Sequence, residues 1–138
     1  MTAAEVKEYL KEIKYKRQYL QRLKERRDSM HLDVSFGGID YSADRIQNSP
    51  KNKLEEAMVR LSDKLEKIDK SIAKTTMDID DRIGCIESLT DGNYKNILYR
   101  HYADYDSLKI ISKDMGYAYV YVCTMHREAL KELSKIIK

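Results

Sequence analysis

Tryptophan is absent from the 138-residue chain, proline and phenylalanine occur once each, and glycine occurs five times. A chain with so few helix-breaking residues, of which 36% are charged, is typical of a mostly helical protein. No apolar run approaches the roughly 20 residues that a membrane-spanning helix needs, and the N-terminus lacks the apolar stretch of a signal peptide. We therefore expect an all-α protein that resides in the cytoplasm and has no membrane contact.

Cysteine and glycine are too scarce, and too scattered, for several common kinds of site. Cys85 and Cys123 both lie inside predicted helices, which favours free thiols in a reducing compartment over a disulfide scaffold. Cys123 and His126 have the spacing of half a zinc site, but no second pair follows, so we predict no metal site and no cofactor. Gly37-Gly38 lacks the Lys-Ser/Thr of a phosphate-binding loop. Because Cys123 also lacks an orienting partner for nucleophilic catalysis, we predict no enzymatic activity.

The net charge of +3 is small, but the charges are unevenly distributed. Residues 1–27 carry nine Lys and Arg against four acidic residues, and residues 93–138 carry eight against five. The segments 28–50 and 51–92 between them have an acidic excess of three and two. Basic ends can attract nucleic acid, but a Lys-rich helix face that is merely solvated is equally compatible with the first block.

Two long amphipathic helices are predicted within residues 1–92, at about 3–31 and 52–90. In the first helix, apolar residues recur at helical spacing: Val6, Leu10, Ile13, Leu20 and Leu23. Thr2 and Glu5 resemble a capping box at its start. The segment 32–51 has no helical period and contains the only proline, so we predict a loop there.

A heptad seam runs along the second helix in alternating steps of four and three. Its members are Leu54, Met58, Leu61, Leu65, Ile68, Ile72, Thr75 and Ile79. A helix of this length needs a partner, because it is too long for a compact monomer on its own. We expect an antiparallel hairpin with the first helix, together with self-association of the helical arm as a coiled coil into a homo-oligomer. Pairing within one chain and pairing between chains both remain open.

Residues 93–138 are predicted to form a separate domain of three helices, at Asn93–Tyr102, Ser107–Met115 and about Ala118–Ile137. Gly116 is expected to end the second helix in the left-handed conformation. The side chains predicted to face inward are Tyr94, Ile97, Leu98, Tyr102, Leu108, Ile110, Ile111, Val122, Met125, Ala129, Leu130, Leu133 and Ile137. A short helix, a glycine turn and a longer helix form a helix-turn-helix pattern, for which a plain helical subdomain is the alternative.

The stretch YKNILYRHYADYDSLKIISKDMGYAYVYVCTMHREALKEL resembles region four of sigma factors. In particular, it is similar to small phage regulators, the RinA/ArpU-type late transcription activators and their relatives. The matching elements are Leu98-Tyr99-Arg100-His101-Tyr102, Ile110-Ile111-Ser112, Met115-Gly116-Tyr117, Val122 and His126-Arg127-Glu128-Ala129-Leu130. The resemblance implies a helix-turn-helix that binds promoter-type double-stranded DNA inside a bacterial host cell, with RNA polymerase as a candidate partner.

By position, the resemblance also implies which residues contact DNA. The base-contacting face would consist of Tyr119, Val120, Tyr121, Cys123 and Thr124. The phosphate contacts would be Arg100, Lys109, Lys113 and Arg127. The chain departs from its relatives at Ala118, where they usually have a serine that caps the recognition helix. It departs again immediately afterwards, because Tyr-Val-Tyr-Val-Cys replaces the usual polar and basic residues.

Three functions are compatible with this sequence. The first is a phage-type DNA-binding transcription regulator, in which an oligomeric arm presents two or more helix-turn-helix heads to DNA. The second is a phage interaction protein that reuses this fold to bind and inhibit a host protein, such as RNA polymerase or a defence nuclease. The apolar and aromatic start of the recognition helix is typical of a protein-binding surface. The third is a terminase small subunit, since those proteins also join a helix-turn-helix to helical oligomerisation arms.

Overall fold

The computed structural model describes the backbone of residues 1–35 and 50–137, and the side chains of residues 1–30 and 52–137. Every regular element within those residues is helical, which confirms the all-α fold class. The elements are α1 (Ala3–Ser35), α2 (Pro50–Glu87), α3 (Gly92–Leu98), a π-helical turn (Tyr99–Ala103), α4 (Leu108–Met115) and α5 (Tyr119–Ile136). None of these helices is both long enough and apolar enough to cross a bilayer.

Local interactions account for the ends of the two long helices. The Thr2 amide donates to the Glu5 carboxylate at 3.0 Å and the Glu5 amide donates to the Thr2 hydroxyl at 3.2 Å, which confirms the capping box. α1 continues to Ser35, so only residues 36–49 of the predicted loop remain, and they lie outside the described part of the chain. α2 begins at Pro50, because proline at a first helical position has no amide hydrogen to leave unpaired.

The helices contribute to two compact units, one formed by Met1–Gln18 with Met77–Lys138 and the other by Tyr19–Thr76. In the second unit, Leu23 of α1 and Ile68 and Thr75 of α2 are buried. An ion pair joins Arg27 Nε to the Asp69 carboxylate at 2.6 Å in that unit. The division of the chain at residues 92/93 that the sequence suggests remains a prediction.

In the first unit, α1 contacts α2 through both apolar and charged groups. The side chains of Val6, Leu10 and Ile13 of α1, and Ile79 and Ile86 of α2, are buried. The Arg82 guanidinium lies over the Tyr9 ring, 4.3 Å from its centroid, and donates to the Glu12 carboxylate at 2.6 Å. One turn further along α1, Lys16 Nζ lies 3.3 Å from the Asp78 carboxylate. The residue number of the contacting residue in α2 therefore decreases as the residue number in α1 increases.

α3, α4 and α5 share one hydrophobic cluster in the same unit. Its buried members are Ile97, Ile111, Val122 and Met125, and Tyr94, Leu108 and Met115 pack against them. Leu98, Tyr102, Ala129, Leu130 and Leu133 are buried as predicted. The prediction for Ile110 is wrong: 49% of this side chain is exposed. Its neighbour Ile111 takes the core position, and one residue along an α-helix is a rotation of about 100°.

Two further assignments differ from the sequence-based expectation. Ile137 is only half-buried, because α5 ends at Ile136 and Ile137 is the residue that follows the helix. Its amide still donates to the Leu133 carbonyl at 2.9 Å. Ser112 and His126 are buried although neither was predicted to be. The core of this unit therefore contains polar groups, which need hydrogen-bond partners there.

Candidate nucleic-acid interface

The turn between α4 and α5 follows from a capped start and a glycine stop. The Ser107 side chain accepts a hydrogen bond from the Ile110 amide at 3.3 Å and caps α4. Gly116 ends the helix with φ of 73°, as predicted, and the Tyr117 amide donates back to the Ser112 carbonyl at 3.1 Å. A left-handed backbone at this position favours glycine, because a Cβ atom would be strained there.

α5 then begins without a side-chain cap, and its first three side chains point to solvent. Ala118 has an extended backbone (φ −63°, ψ 142°) and no side-chain hydrogen bond. Tyr119, Val120 and Tyr121 are 48%, 75% and 51% exposed, whereas the next residue, Val122, is fully buried. The shared core with α3 and α4 therefore holds α5 through Val122 while leaving this first turn uncovered.

The polar side chains around this turn differ in whether they have an intramolecular partner. The Thr124 hydroxyl donates to the Val120 carbonyl at 3.0 Å. Interaction with the Cys123 thiol raises the pKa of the Tyr119 hydroxyl. The Tyr121 hydroxyl, in contrast, has no hydrogen-bond partner in the described part of the chain, and its ring packs edge-on against Tyr117 at a centroid distance of 5.3 Å. Cys123 and Thr124 are only partly exposed, so they are less available than the three residues before Val122.

The four cations that are predicted to bind phosphate differ in their exposure and in whether they form ion pairs. Lys109, Lys113 and Arg127 are exposed, and none of them forms an ion pair with another residue among those described. Arg100 is partly buried and ion-paired: its guanidinium lies 2.9 Å from the Asp106 carboxylate and 2.5 Å from that of Asp114. These hydrogen bonds, led by the one to Asp114, raise the pKa of Arg100. A phosphate would have to compete with two carboxylates for this side chain.

Two exposed residues of this region were not anticipated as part of a surface. Ile110 is 49% exposed on α4, and Tyr117 is 41% exposed in the turn. The exposure of Ile110 was predictable from the sequence. Leu108, Ile111 and Met115 are spaced by three and four residues and already complete the apolar face of α4. For Tyr117 the sequence has no such signal, since an aromatic ring is compatible with either side of a helix.

A buried polar pair lies beneath α5. The Tyr102 hydroxyl is 2.8 Å from Nε2 of His126. Burial lowers the pKa of His126 to about 4, and the nearby charges of His101 and Lys7 act in the same direction. His126 is therefore neutral at physiological pH and satisfied by Tyr102, which is typical of a structural histidine. Within residues 1–30 and 52–137, no three His, Cys, Asp or Glu side chains come together as metal ligands would.

Comparison of the chain with protein-family models, curated proteins and solved structures found no match. The resemblance to sigma region four thus rests on the motifs of the sequence alone, and the DNA contacts that it implies remain predictions. The first turn of α5 exposes apolar and aromatic side chains. α4 and α5 also carry three cations, Lys109, Lys113 and Arg127, that have no ion-pair partner among the described residues.

Proposed function

We propose that this protein is a DNA-binding transcription regulator that uses α4, the Gly116 turn and α5 as a helix-turn-helix similar to sigma region four. The observation that carries the proposal is the outward orientation of Tyr119, Val120 and Tyr121, in the first turn of a helix whose Val122 lies in the shared core. In helix-turn-helix proteins the early residues of the second helix are the ones that enter the major groove.

Cations on both helices that have no ion-pair partner among the described residues support binding to a polyanion. Lys109 and Lys113 are one turn apart on the exposed side of α4, and Arg127 is exposed on α5. Phosphate contacts by such side chains release counterions, so the affinity should fall as salt is added. We assign Arg100 a positioning role instead, because it joins Asp106, before α4, to Asp114 near the end of that helix.

The helical arm would bring two such modules to one DNA molecule. Arg82 contacts Glu12, and Asp78 contacts Lys16 one turn further along α1. Because residue numbers decrease in α2 as they increase in α1, these contacts support an antiparallel arrangement of the two helices in the unit that contains them. Exposed apolar side chains of α2 such as Met58 and Met77 are available for self-association into a homo-oligomer. Paired modules would favour half-sites that are one DNA helical turn, or a multiple of it, apart.

A second candidate function is binding and inhibition of a host protein. It is favoured by the composition of the exposed face, since residues 114–126 contain no Arg or Lys, although these are the commonest side chains in specific base contacts. Exposed aromatic and aliphatic groups without charge are enriched at the centres of protein interfaces. RNA polymerase and a defence nuclease are the partners proposed for this alternative. A closed ring of many subunits would instead indicate a terminase small subunit.

The first experiment is selection of double-stranded DNA from a random pool by the purified protein. We expect one enriched motif, and we expect the double variant Tyr119→Ala/Tyr121→Ala to bind it at least about tenfold more weakly, as removal of two anchoring side chains should. The matched control is Tyr15→Ala/Tyr19→Ala, which removes two tyrosines that are 67% and 48% exposed on α1. The control should bind as the unmodified protein does.

The salt dependence of binding tests the cations separately. Replacing Lys109 or Lys113 by Gln should weaken binding to all DNA sequences. It should also lower the slope of log affinity against log salt by about one for each phosphate that is no longer neutralised. If the selection yields no motif, and one host protein is instead retained stoichiometrically from a nuclease-treated lysate, the regulator proposal is wrong and the second candidate replaces it.

A further inference from the structure

The exposed start of α5 lacks the side chains that usually distinguish one base pair from another by hydrogen bonds. Guanine is recognised in the major groove by Arg or Lys, and adenine by Asn or Gln. None of these four residue types occurs between positions 114 and 126. The first cation beyond them, Arg127, follows Tyr119 by eight residues, which places it about 12 Å further along the helix axis.

The remaining polar groups at this helix start are also poorly placed for hydrogen bonding to bases. Thr124 uses its hydroxyl on the Val120 carbonyl, at 3.0 Å. The Cys123 thiol raises the pKa of the Tyr119 hydroxyl, and Asp114 is held by Arg100 at 2.5 Å. The hydroxyls of Tyr117 and Tyr121 have no hydrogen-bond partner within the described residues. A single hydroxyl at the tip of a long side chain is suited to a phosphate, which positions a protein but carries no sequence information.

What this turn does expose is aliphatic surface. Val120 is 75% exposed, more than any other large apolar side chain in the described residues. The major groove contains one apolar group, the 5-methyl of thymine, and small apolar side chains recognise it by contact. Because Val120 is β-branched and lies on a helix, its rotamer is restricted, so little conformational entropy is lost when its methyl groups are covered.

We propose that Val120 recognises thymine 5-methyl groups, so that the binding site is defined by T–A base pairs rather than by guanines. This inference rests on the proposed function, because it specifies the chemistry of the same DNA-binding surface. Lys109, Lys113 and the Tyr121 hydroxyl hold the phosphates, and the methyl contacts set the register of α5 in the groove. The protein thereby obtains sequence preference from a helix that has no bidentate side chain at its exposed start.

Replacing thymine by deoxyuridine tests this directly, since it removes the methyl group and leaves every hydrogen-bonding group of the base pair unchanged. The duplex found by the selection is resynthesised with one thymine at a time replaced by deoxyuridine, and the affinity of the full-length protein is measured by fluorescence anisotropy. We expect affinity to fall about fourfold for each contacted methyl, from the transfer free energy of one methylene-sized group.

The Val120→Ala variant connects that decrease to the residue. This variant should bind two duplexes with the same affinity: the one with thymine at the contacted position and the one with deoxyuridine there. The matched control is Val59→Ala on α2, where the valine is 60% exposed, and it should retain the full difference between the two duplexes. Circular dichroism of both variants should match that of the parent protein, since neither valine is in the core.

The outcomes separate this inference from the function on which it rests. If a motif is selected, but no deoxyuridine substitution changes its affinity, the methyl contact is refuted while DNA binding stands. If a deoxyuridine penalty persists unchanged in Val120→Ala, the assignment to Val120 is wrong. If no duplex is bound at all, the proposed function itself fails.

Discussion

The hydroxyl of Tyr102 lies 2.8 Å from Nε2 of His126, and both side chains are buried. Tyr102 belongs to the π-helical turn after α3, and His126 to the middle of α5. The ring of His101 packs edge-on against both, at centroid distances of 4.8 Å and 5.2 Å. A neutral hydrogen-bonded pair thus joins these two elements inside the core, which makes the fold sensitive to the protonation of His126.

Stability should fall as the pH is lowered from 6.5 to 4. The pKa of His126 is about 4 in the folded protein, whereas a histidine in an unfolded chain titrates near 6.5. Within that window the unfolded chain binds a proton that the folded one does not, so the stabilisation is fully present above about 6.5 and declines toward 4. We expect a decrease of about 2–3 kcal/mol in the free energy of unfolding between pH 7.5 and 4.5, measured by urea denaturation.

The variant His126→Gln provides the comparison, because carboxylates elsewhere in the chain also titrate in acid. The pH dependence of the parent protein should exceed that of the variant within this window, and the two should run parallel above about pH 7. Equal pH dependence throughout would mean that His126 does not resist protonation in the folded state.

Arg100 should contribute to stability, whereas Arg127 should not. Arg100 is held by two carboxylates, and its side chain is 21% exposed. Replacing it by Gln leaves Asp106 and Asp114 without their counter-charge, so we expect a lower midpoint of urea denaturation, with a smaller decrease in high salt. The same substitution at Arg127, which is exposed and forms no ion pair with a described residue, should leave the midpoint nearly unchanged. Equal effects would contradict the distinction between the two arginines.

One substitution should have opposite effects at two glycines. At Gly116, with φ of 73°, a Cβ atom would meet no neighbour within 4 Å, so the cost of Gly116→Ala is backbone strain alone, about 1 kcal/mol. At Gly84, inside α2, a Cβ atom also finds open space. There, alanine should stabilise the protein by up to about 1 kcal/mol, because glycine is the poorer helix former. In thermal denaturation, Gly116→Ala should melt at a lower temperature than the parent protein, and Gly84→Ala at a higher one.

The missing cap of α5 should be repairable. Ala118 has the extended backbone of an N-cap residue but no side chain to accept a hydrogen bond. We expect Ala118→Ser to raise the free energy of unfolding by about 1 kcal/mol. Conversely, Ser107→Ala removes an existing cap from α4 and should lower it by a similar amount. If Ala118→Ser leaves the melting temperature unchanged, the amides of the first turn of α5 are already satisfied by solvent.

Features that depend on neighbours in the sequence were predictable. The long helices were anticipated from apolar periodicity, with bounds that differ from the observed ones by at most four residues. The capping box of Thr2 and Glu5 was also anticipated, because both of its hydrogen bonds close within three residues. The exact ends of helices were less predictable, since a terminal turn exchanges hydrogen bonds with solvent at little cost.

The candidate site was predictable in its location but not in the state of its members. The outward side chains at the start of α5 follow from the motif that contains Gly116. The ion pairs of Arg100 could not be inferred from its neighbours in the sequence, because Asp106 is six residues away and Asp114 is 14 residues away. The helical spacing of His126 from Val122 and Leu130 indicates burial, but its hydrogen bond could not be predicted, because Tyr102 is 24 residues away.

The sequence alone therefore determined the helical content, the capped start of α1 and the left-handed stop of α4, because the interactions responsible act within one or two turns of backbone. Only the tertiary structure decided that His126 is neutral and hydrogen-bonded to Tyr102. It also decided that Arg100 is paired, whereas Lys109, Lys113 and Arg127 have no ion-pair partner within the described residues. Each of these outcomes depends on which distant side chains share one small volume. Within that volume, burial and charge pairing depend on residues that are close in space but far apart in the sequence.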